Sequence, residues 1–346
     1  MQDTLYTFFD LGQFARLPLT GSHHSGLVAL SYCVALLASY TAILTLERVQ
    51  LHTRKASRYS WLLVSSIIAG IGVWSMHFIG MLAFELNLPM NHGVGLTLLS
   101  IIPAIAGSFF ALKGQIAAPS VRQTLFGGTV LGAGIGLMHY TGMAAMILPA
   151  SLRYDPLWFL FSVVVAVSLG IIALLTYRRY RHAENMTLSN RRTVQIIVAA
   201  IMALAISGMH YTAMIAANFY PTGESEALFT GHSSWLAYGV GIGAAFSACM
   251  AIVATRIDHR LQQQQKLAQM SAKQLYEVIS AIDDGLLLFD ERNRVLLANE
   301  AFARLTGDKL DKIKAQKLDI EHYLEHANEL LEYIQSTLDS GKAWHG

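Results

Sequence analysis

Seven long apolar runs dominate residues 27–256, and each is long enough to cross the hydrocarbon core of a bilayer as a helix. The fourth run carries Gly128, Gly132 and Gly136 at four-residue steps, a spacing that lets a neighbouring backbone approach closely. The pattern predicts an all-α seven-transmembrane helix bundle after an extracytoplasmic segment at residues 1–26. The predicted spans are about Leu27–Leu46, Ser60–Leu82, Val94–Leu112, Leu125–Leu148, Leu157–Tyr177, Val194–Ala217 and Trp235–Thr255.

The chain becomes polar after Thr255. Residues 257–274 are Gln-rich with apolar residues at helical spacing, which predicts a linker helix that pairs with a second copy of the chain in a homodimer. Residues 275–346 are expected to form a small α+β domain. Its elements are two strand patterns at Leu286–Asp290 and Val295–Ala298 and helical patterns at Ala301–Leu305 and Lys309–Leu338.

The composition agrees with the membrane class. Hydrophobic residues make up 53% of the chain and charged residues 14%, whereas soluble domains average about a quarter charged residues. The net charge is only +2, and no nucleic-acid partner is expected. Cys33 and Cys249 fall inside apolar runs, where we expect buried, inert thiols rather than a disulfide.

Basic residues in the short loops predict the orientation. Eleven lie on one side of the predicted bundle and two, Arg16 and Arg153, on the other. Because basic loops remain cytoplasmic, the N-terminus is predicted to lie outside and the C-terminal part in the cytoplasm. The eleven are Arg48, Arg54, Lys55, Arg58, Lys113, Arg122, Arg178, Arg179, Arg181, Arg191 and Arg192.

One six-residue motif occurs three times, near the ends of the second, fourth and sixth runs. Its copies are MHFIGM at residues 76–81, MHYTGM at 138–143 and MHYTAM at 209–214. The spacing predicts three helix hairpins followed by a seventh helix. Since the three host helices run in the same direction, His77, His139 and His210 should reach a similar depth, roughly 8 Å inside the outer helix ends.

These copies have the residue types of a metal site. A methionine four residues after each histidine lies on the same helix face. Because a polar side chain that faces lipid is energetically costly, this face should turn towards the interior of the bundle. Imidazole and thioether ligands suit Cu(I), zinc makes little use of methionine, and Mg²⁺ and Ca²⁺ prefer oxygen. The predicted ligands are His77, His139, His210, Met81, Met143 and Met214.

Further polar residues precede the odd-numbered runs and are candidates to complete this ligand set or to orient it. They are His23, His24, His92, Asp155 and His232. Headgroup or solvent contacts are the alternative for these histidines. Met76, Met138 and Met209 favour core packing over ligation, and Tyr140 and Tyr211 suit either a membrane-interface belt or hydrogen bonds to the site.

The motifs MHYT at 138–141 and 209–212, with the variant MHFI at 76–79, resemble the MHYT domain of bacterial membrane sensors. The likeness covers about residues 20–256 and includes LVALS at 27–31, ASYTA at 38–42 and RYDP at 153–156. It implies a seven-helix sensor of the bacterial inner membrane that binds copper and, through it, O2, CO or NO. Phe78 and Ile79 depart from the pattern and remove a hydroxyl pair.

The C-terminal part resembles the first half of a PAS domain, through DDG at 283–285, NEAF at 299–302 and Gly307. Such domains often lead into a histidine kinase, a diguanylate cyclase or a cyclic-di-GMP phosphodiesterase. We therefore expect residues 275–346 to be a partial PAS domain within a longer protein, with any output enzyme outside this segment.

The resulting hypothesis is a signalling receptor whose metal, near the outer membrane face, detects a diatomic gas or a redox change. A copper-dependent membrane oxidoreductase needs a substrate site and an electron route, and neither is evident. A copper transporter needs polar or Met pairs through the bilayer, but the inner halves of the motif-bearing runs are largely apolar. Haem held by His and Met is a further alternative that an absorption spectrum would identify.

Overall fold

The computed structural model describes residues 8–11, 17–51, 54–86, 88–116, 119–181, 188–222, 234–289, 295–307, 309, 310 and 313. The chain divides into two compact units, Met1–Asp258 and His259–Gly346. His232, and nearly all of the predicted helical stretch Lys309–Leu338, lie outside the described residues.

The described residues contain nine helices and eight short strands. The helices are α1 (Ser25–Leu51), α2 (Lys55–Ala83), α3 (Val94–Leu99), α4 (Ile101–Lys113), α5 (Val121–Ala144), α6 (Pro156–Arg181), α7 (Leu188–Ala216), α8 (Ser234–Ala281) and α9 (Glu300–Thr306). The strands are β1 (Ser22–His23), β2 (Phe84–Glu85), β3 (Asn91–His92), β4 (Met146–Ile147), β5 (Ala150–Tyr154), β6 (Ala217–Pro221), β7 (Leu287–Phe289) and β8 (Val295–Ala298).

The first unit is a multi-pass membrane bundle. In the described part of the chain, six helical segments are long and apolar enough to span a bilayer, and α3 with α4 forms one of them. The fourth predicted span is present as α5, whose 24 residues do not meet the same criterion. Its six glycines lower its hydropathy, so the predicted count of seven spans is only partly supported.

A strand–helix–helix–strand unit occurs three times along the bundle, with α3 and α4 together taking the place of the first helix in the second unit. In each unit the strand before the first helix pairs antiparallel with the strand after the second, as β1 with β2, β3 with β4 and β5 with β6. Around the bundle, α1, α2, α4, α5, α6 and α7 pack as neighbours in a closed ring. The motif-bearing α2, α5 and α7 also contact one another, so the three motifs meet inside.

The glycines of the fourth predicted span allow the expected close packing. A β-carbon at Gly128 would meet the backbone of Ile171, and one at Gly132 would meet the backbone of Val167, both within 2.8 Å. Only a small residue permits α5 and α6 to approach this far. Gly136 differs, because its closest neighbour is the methyl end of Met209 at 3.8 Å.

The third predicted span is broken rather than continuous. Helix α3 ends at Leu99 and α4 begins at Ile101, with Ser100 between them. Pro103 lacks the N–H that would bond to the carbonyl of Leu99, and its ring crowds that carbonyl. Close to the break, the carbonyl of Thr97 accepts hydrogen bonds from Trp74 Nε1 at 2.9 Å and from Ser100 Oγ at 2.7 Å.

Two further expectations differ from the structure. Cys33 and Cys249 are exposed rather than buried, because they lie on helix faces that point away from the bundle. The predicted seventh span and linker are parts of one continuous helix, α8, which runs to Ala281 instead of ending near residue 274.

The second unit contains the two predicted strands, β7 and β8, paired antiparallel, and the predicted helix α9. Asn299 joins them: its Oδ1 accepts hydrogen bonds from the backbone N–H groups of Phe302 and Leu286, both at 2.9 Å. Helix α9 ends at Gly307, whose φ of 75° is the left-handed conformation that glycine adopts readily.

Candidate metal centre

The three motif histidines form a compact, buried triad. The Nδ1 atoms of His77 and His139 lie 3.1 Å apart, those of His77 and His210 3.1 Å apart, and those of His139 and His210 3.2 Å apart. Their side chains are at most 1% exposed. Within the described residues, this triad is the group of His, Cys, Asp or Glu side chains close enough together to hold a metal ion.

The spacing of the three nitrogens fits an ion. Dividing a side of 3.1 Å by √3 places the centre of the triangle about 1.8 Å from each Nδ1. Imidazole nitrogens lie roughly 2.0–2.1 Å from Zn²⁺, so small outward shifts give normal ligand distances. Three neutral imidazoles whose Nδ1 lone pairs converge also repel one another unless a cation or a proton lies between them.

For His77 and His210, the opposite edge of the ring packs against a glycine of another helix. A β-carbon at Gly80 would overlap Nε2 of His210, and one at Gly142 would overlap Nε2 of His77. All three Nε2 atoms are buried, and no hydrogen-bond partner for them occurs among the described residues. Sequence reasoning missed this role, although the motif does place Gly, Gly and Ala three residues after its histidines.

The predicted methionine ligands are buried in the same part of the bundle. Met81 and Met143 are 1% exposed and Met214 is 5% exposed, and all three belong to the hydrophobic core that surrounds the triad. Met76, Met138 and Met209 belong to it as well, each at most 1% exposed. All six motif methionines are therefore buried in one core, and their thioether groups are soft and polarisable.

A second layer of side chains covers the triad towards the strand pairs. The registers of these pairs make His23, His92 and Tyr154 equivalent, because each lies opposite the residue seven positions after a motif histidine. Their rings lie 5.7, 5.7 and 5.1 Å from those of Tyr211, Phe78 and Tyr140, respectively. The aromatic residue that follows each motif histidine is thus covered by the first strand of another repeat.

The remaining candidate ligands that the structure describes do not join the triad. His24 is exposed, and its backbone N–H donates to the carbonyl of Ala83 at 2.8 Å. Asp155 caps α6, since its Oδ1 accepts hydrogen bonds from the backbone N–H groups of Leu157 and Trp158. His23 is exposed beside Phe84, and His92 is buried but outside the triad.

The motif tyrosines bond to serines of neighbouring helices rather than to the histidines. Tyr211 Oη lies 2.8 Å from Ser31 Oγ, and Tyr140 Oη lies 2.8 Å from Ser162 Oγ. Both serine hydroxyls donate to backbone carbonyls of their own helices, so the tyrosines are the donors. In the first copy Phe78 lacks the hydroxyl, and the equivalent serine, Ser100, lies at the helix break.

Comparison with protein families finds two of the three repeats. The MHYT family model, described as a bacterial signalling protein N-terminal repeat, matches residues 70–128 and 132–189. Each match begins seven residues before a motif histidine, His77 or His139. A PAS domain model matches residues 273–340. The chain contains MHYT repeats and a PAS domain.

Curated proteins similar to this MHYT chain are signalling proteins. It is 37% identical over 324 residues to the bifunctional diguanylate cyclase/cyclic di-GMP phosphodiesterase MucR of Pseudomonas aeruginosa, covering 88% of the chain and 46% of MucR. It is 32% identical to the signaling protein YkoW of Bacillus subtilis, covering 62% of the chain and 27% of YkoW. It is 34% identical to the cyclic di-GMP phosphodiesterase NbdA of Pseudomonas aeruginosa, covering 56% of the chain and 24% of NbdA.

The chain spans less than half the length of each of these relatives. No solved structure matches the MHYT chain significantly.

Proposed function

We propose that this membrane signalling chain senses its stimulus at a copper ion bound by Nδ1 of His77, His139 and His210. The observation that carries the proposal is the convergence of three buried Nδ1 atoms within 3.2 Å of one another. Bound there, the ion would supply a redox couple or a coordination site for a diatomic gas (O2, CO or NO). The protein supplies fixed ligands and a shell that excludes water.

The surroundings support copper over the alternatives. The triad has no carboxylate, and six buried methionines lie in the core around it, which suits a soft ion better than Mg²⁺ or Ca²⁺. Zinc fits the imidazoles but gains little from thioether groups. Haem needs space for a macrocycle, whereas Nδ1 atoms 3.1–3.2 Å apart leave none between the rings.

The proposed output lies beyond the bundle. Helix α8 extends from Ser234 to Ala281, into the segment that the PAS model matches, and offers a continuous element along which a change at the triad is transmitted. MucR and NbdA are named for the turnover of cyclic di-GMP. We infer an output of the same class for the protein to which this segment belongs.

The proposed topology has seven spans, including the glycine-rich α5, with the N-terminus outside and the PAS domain in the cytoplasm. Basic residues in the loops on one side support this orientation. A homodimer is proposed as well. Its support is the apolar surface of α8 in the second unit, where Leu267, Met270 and Leu275 are each more than 60% exposed.

Metal analysis of the purified chain tests the proposal. Wild type should carry about one copper per chain after reconstitution with Cu(I), and a variant with His77, His139 and His210 all replaced by alanine should carry none. Replacement of the exposed His24 and His259 provides a matched control that keeps the triad. Equal metal content in wild type and the triad variant, or none in either, would overturn the proposal and leave a hydrogen-bonded histidine cluster.

A further inference from the structure

A small cavity lies inside the bundle on the side of the triad away from the strand pairs. Its volume is about 40 Å³, and its wall is formed by α1, α2, α4, α5, α6 and α7. Val73 and Ile206 line it and precede His77 and His210 by four residues, about 6 Å along a helix axis. The cavity therefore begins one helical turn from the triad.

The wall is almost entirely apolar, with eleven apolar residues among the fourteen that line it. Ser108 supplies a buried hydroxyl group to this wall. Its side chain is 1% exposed, and its Oγ has no hydrogen-bond partner among the described residues. Ser66, by contrast, donates to a carbonyl one turn earlier. The hydroxyls of Ser75 and Ser207 resemble that of Ser108 in having no partner among the described residues. A buried hydroxyl without a partner is unfavourable, so a guest that accepts one hydrogen bond is favoured.

Size and polarity limit the guest. The cavity exceeds the roughly 10–15 Å³ that one water needs and is far below the ~150 Å³ of an engineered cavity that admits benzene. Buried waters are typically held by about three hydrogen bonds, which a nearly apolar wall does not favour. These limits select a weakly polar molecule of a few atoms.

We propose that this cavity is a binding site for a neutral molecule of two or three non-hydrogen atoms, similar to dioxygen in size and polarity, with the Ser108 hydroxyl as its hydrogen-bond donor. Because the cavity begins one turn from the triad, it holds such a molecule next to the metal site. Binding of the molecule in the cavity depends only on the residues that line it. The role of the cavity in keeping that molecule next to the metal rests on the proposed function.

Xenon-pressurised crystals of the full chain provide the test, since xenon occupies apolar cavities and is located by anomalous scattering. Wild type should show a xenon peak bounded by Val73, Ser108 and Ile206. Ala69→Leu fills the cavity and should reduce the xenon occupancy at least tenfold, whereas Ala29→Leu, at an exposed position of α1, should leave it unchanged. Ordered water in place of xenon in wild type, or undiminished xenon in Ala69→Leu, would overturn the proposal.

Enlarging the cavity gives a second measurement that does not depend on a filled variant folding. Leu131→Ala removes a side chain from the wall and should raise the xenon occupancy, and an unchanged or lower occupancy would contradict the proposal. Metal content separates the two proposals. Ala69→Leu should bind copper as wild type does, and the triple alanine variant of the triad should still bind xenon.

Discussion

His77 packs the Nε2 edge of its ring against Gly142, where a β-carbon would overlap Nε2 and approach Cδ2 to 2.9 Å. Gly80 lies against Nε2 of His210 in the same way. Each contact joins the histidine of one motif to the small residue of another, on a different helix. The imidazoles of His77 and His210 are therefore oriented by the packing of α2, α5 and α7, and the two glycines hold the Nε2 edges so that Nδ1 faces the centre.

Gly142→Ala should displace the ring of His77 and weaken metal binding. Changes to groups that orient a metal ligand typically cost about 10–100-fold in affinity, and we expect a loss in that range. Competition with a copper chelator measures it. Gly136→Ala is the matched control in the same helix, because its β-carbon would meet only the methyl end of Met209 at 3.8 Å. Equal affinities of Gly142→Ala and wild type would show that the ring moves without consequence.

The two tyrosine–serine bonds should stabilise the bundle without contributing to metal binding. Tyr140→Phe and Tyr211→Phe each remove one hydroxyl that donates to a serine of a neighbouring helix. Each should lower the free energy of unfolding by about 0.5–1.5 kcal/mol. Thermal unfolding in detergent measures the change, with Tyr238→Phe, 73% exposed, as control. Loss of metal from the double variant would instead assign the hydroxyls to the site.

The depth and inward orientation of the triad were predictable because they follow from helical periodicity and from repetition. A histidine at the same place on three parallel helices reaches the same level, and the cost of a polar face in lipid turns it inward. The choice of Nδ1 was not predictable. It depends on contacts such as that between His77 and Gly142, which join helices far apart in the chain.

The strand pairs show a second limit of the sequence. Strands of two residues, such as β1 and β3, are too short to carry an alternating pattern. Without the strand registers, the sequence pattern groups Asp155 with the histidines that precede the odd-numbered spans, whereas the registers show that Tyr154 is the residue equivalent to His23 and His92. Asp155 occupies the next position, where a short carboxylate caps a helix.

The break at Ser100 could have been predicted from the sequence. Pro103 lies inside the third apolar run, and proline in a helix interior removes a hydrogen bond and crowds the carbonyl four residues earlier. Proline is nonetheless tolerated in many transmembrane helices, so the exact position of the break depends on tertiary contacts. Here Trp74 provides one, by donating to the carbonyl of Thr97.

The histidines near the outer ends of the helices should be dispensable for the metal. A variant with His23, His24 and His92 replaced by alanine retains every atom of the Nδ1 triangle, so we expect its copper content to equal that of wild type. Atomic absorption of protein reconstituted under identical conditions measures this. A copper content reduced by half or more would instead indicate that these histidines are metal ligands, as the sequence predicts.

Acid should destabilise the metal-free protein in part through His92. Burial lowers the pKa of this histidine from its ordinary 6.5 to about 4. As the pH falls below 6.5, the unfolded chain binds a proton that the folded chain still refuses. The contribution of neutral His92 to the free energy of unfolding is therefore fully present above the unfolded pKa of 6.5, and it is lost as the pH falls towards 4.

His92→Gln removes this titrating group and should make the free energy of unfolding less dependent on pH. Between about pH 7 and pH 4, wild type should lose up to a few kcal/mol more than the variant, because each pKa unit corresponds to about 1.4 kcal/mol. Unfolding in detergent, followed by circular dichroism across that range with metal removed, measures both slopes. The other histidines are common to the two proteins, so parallel curves would show that the imidazole of His92 is protonated as easily in the folded chain as in the unfolded one.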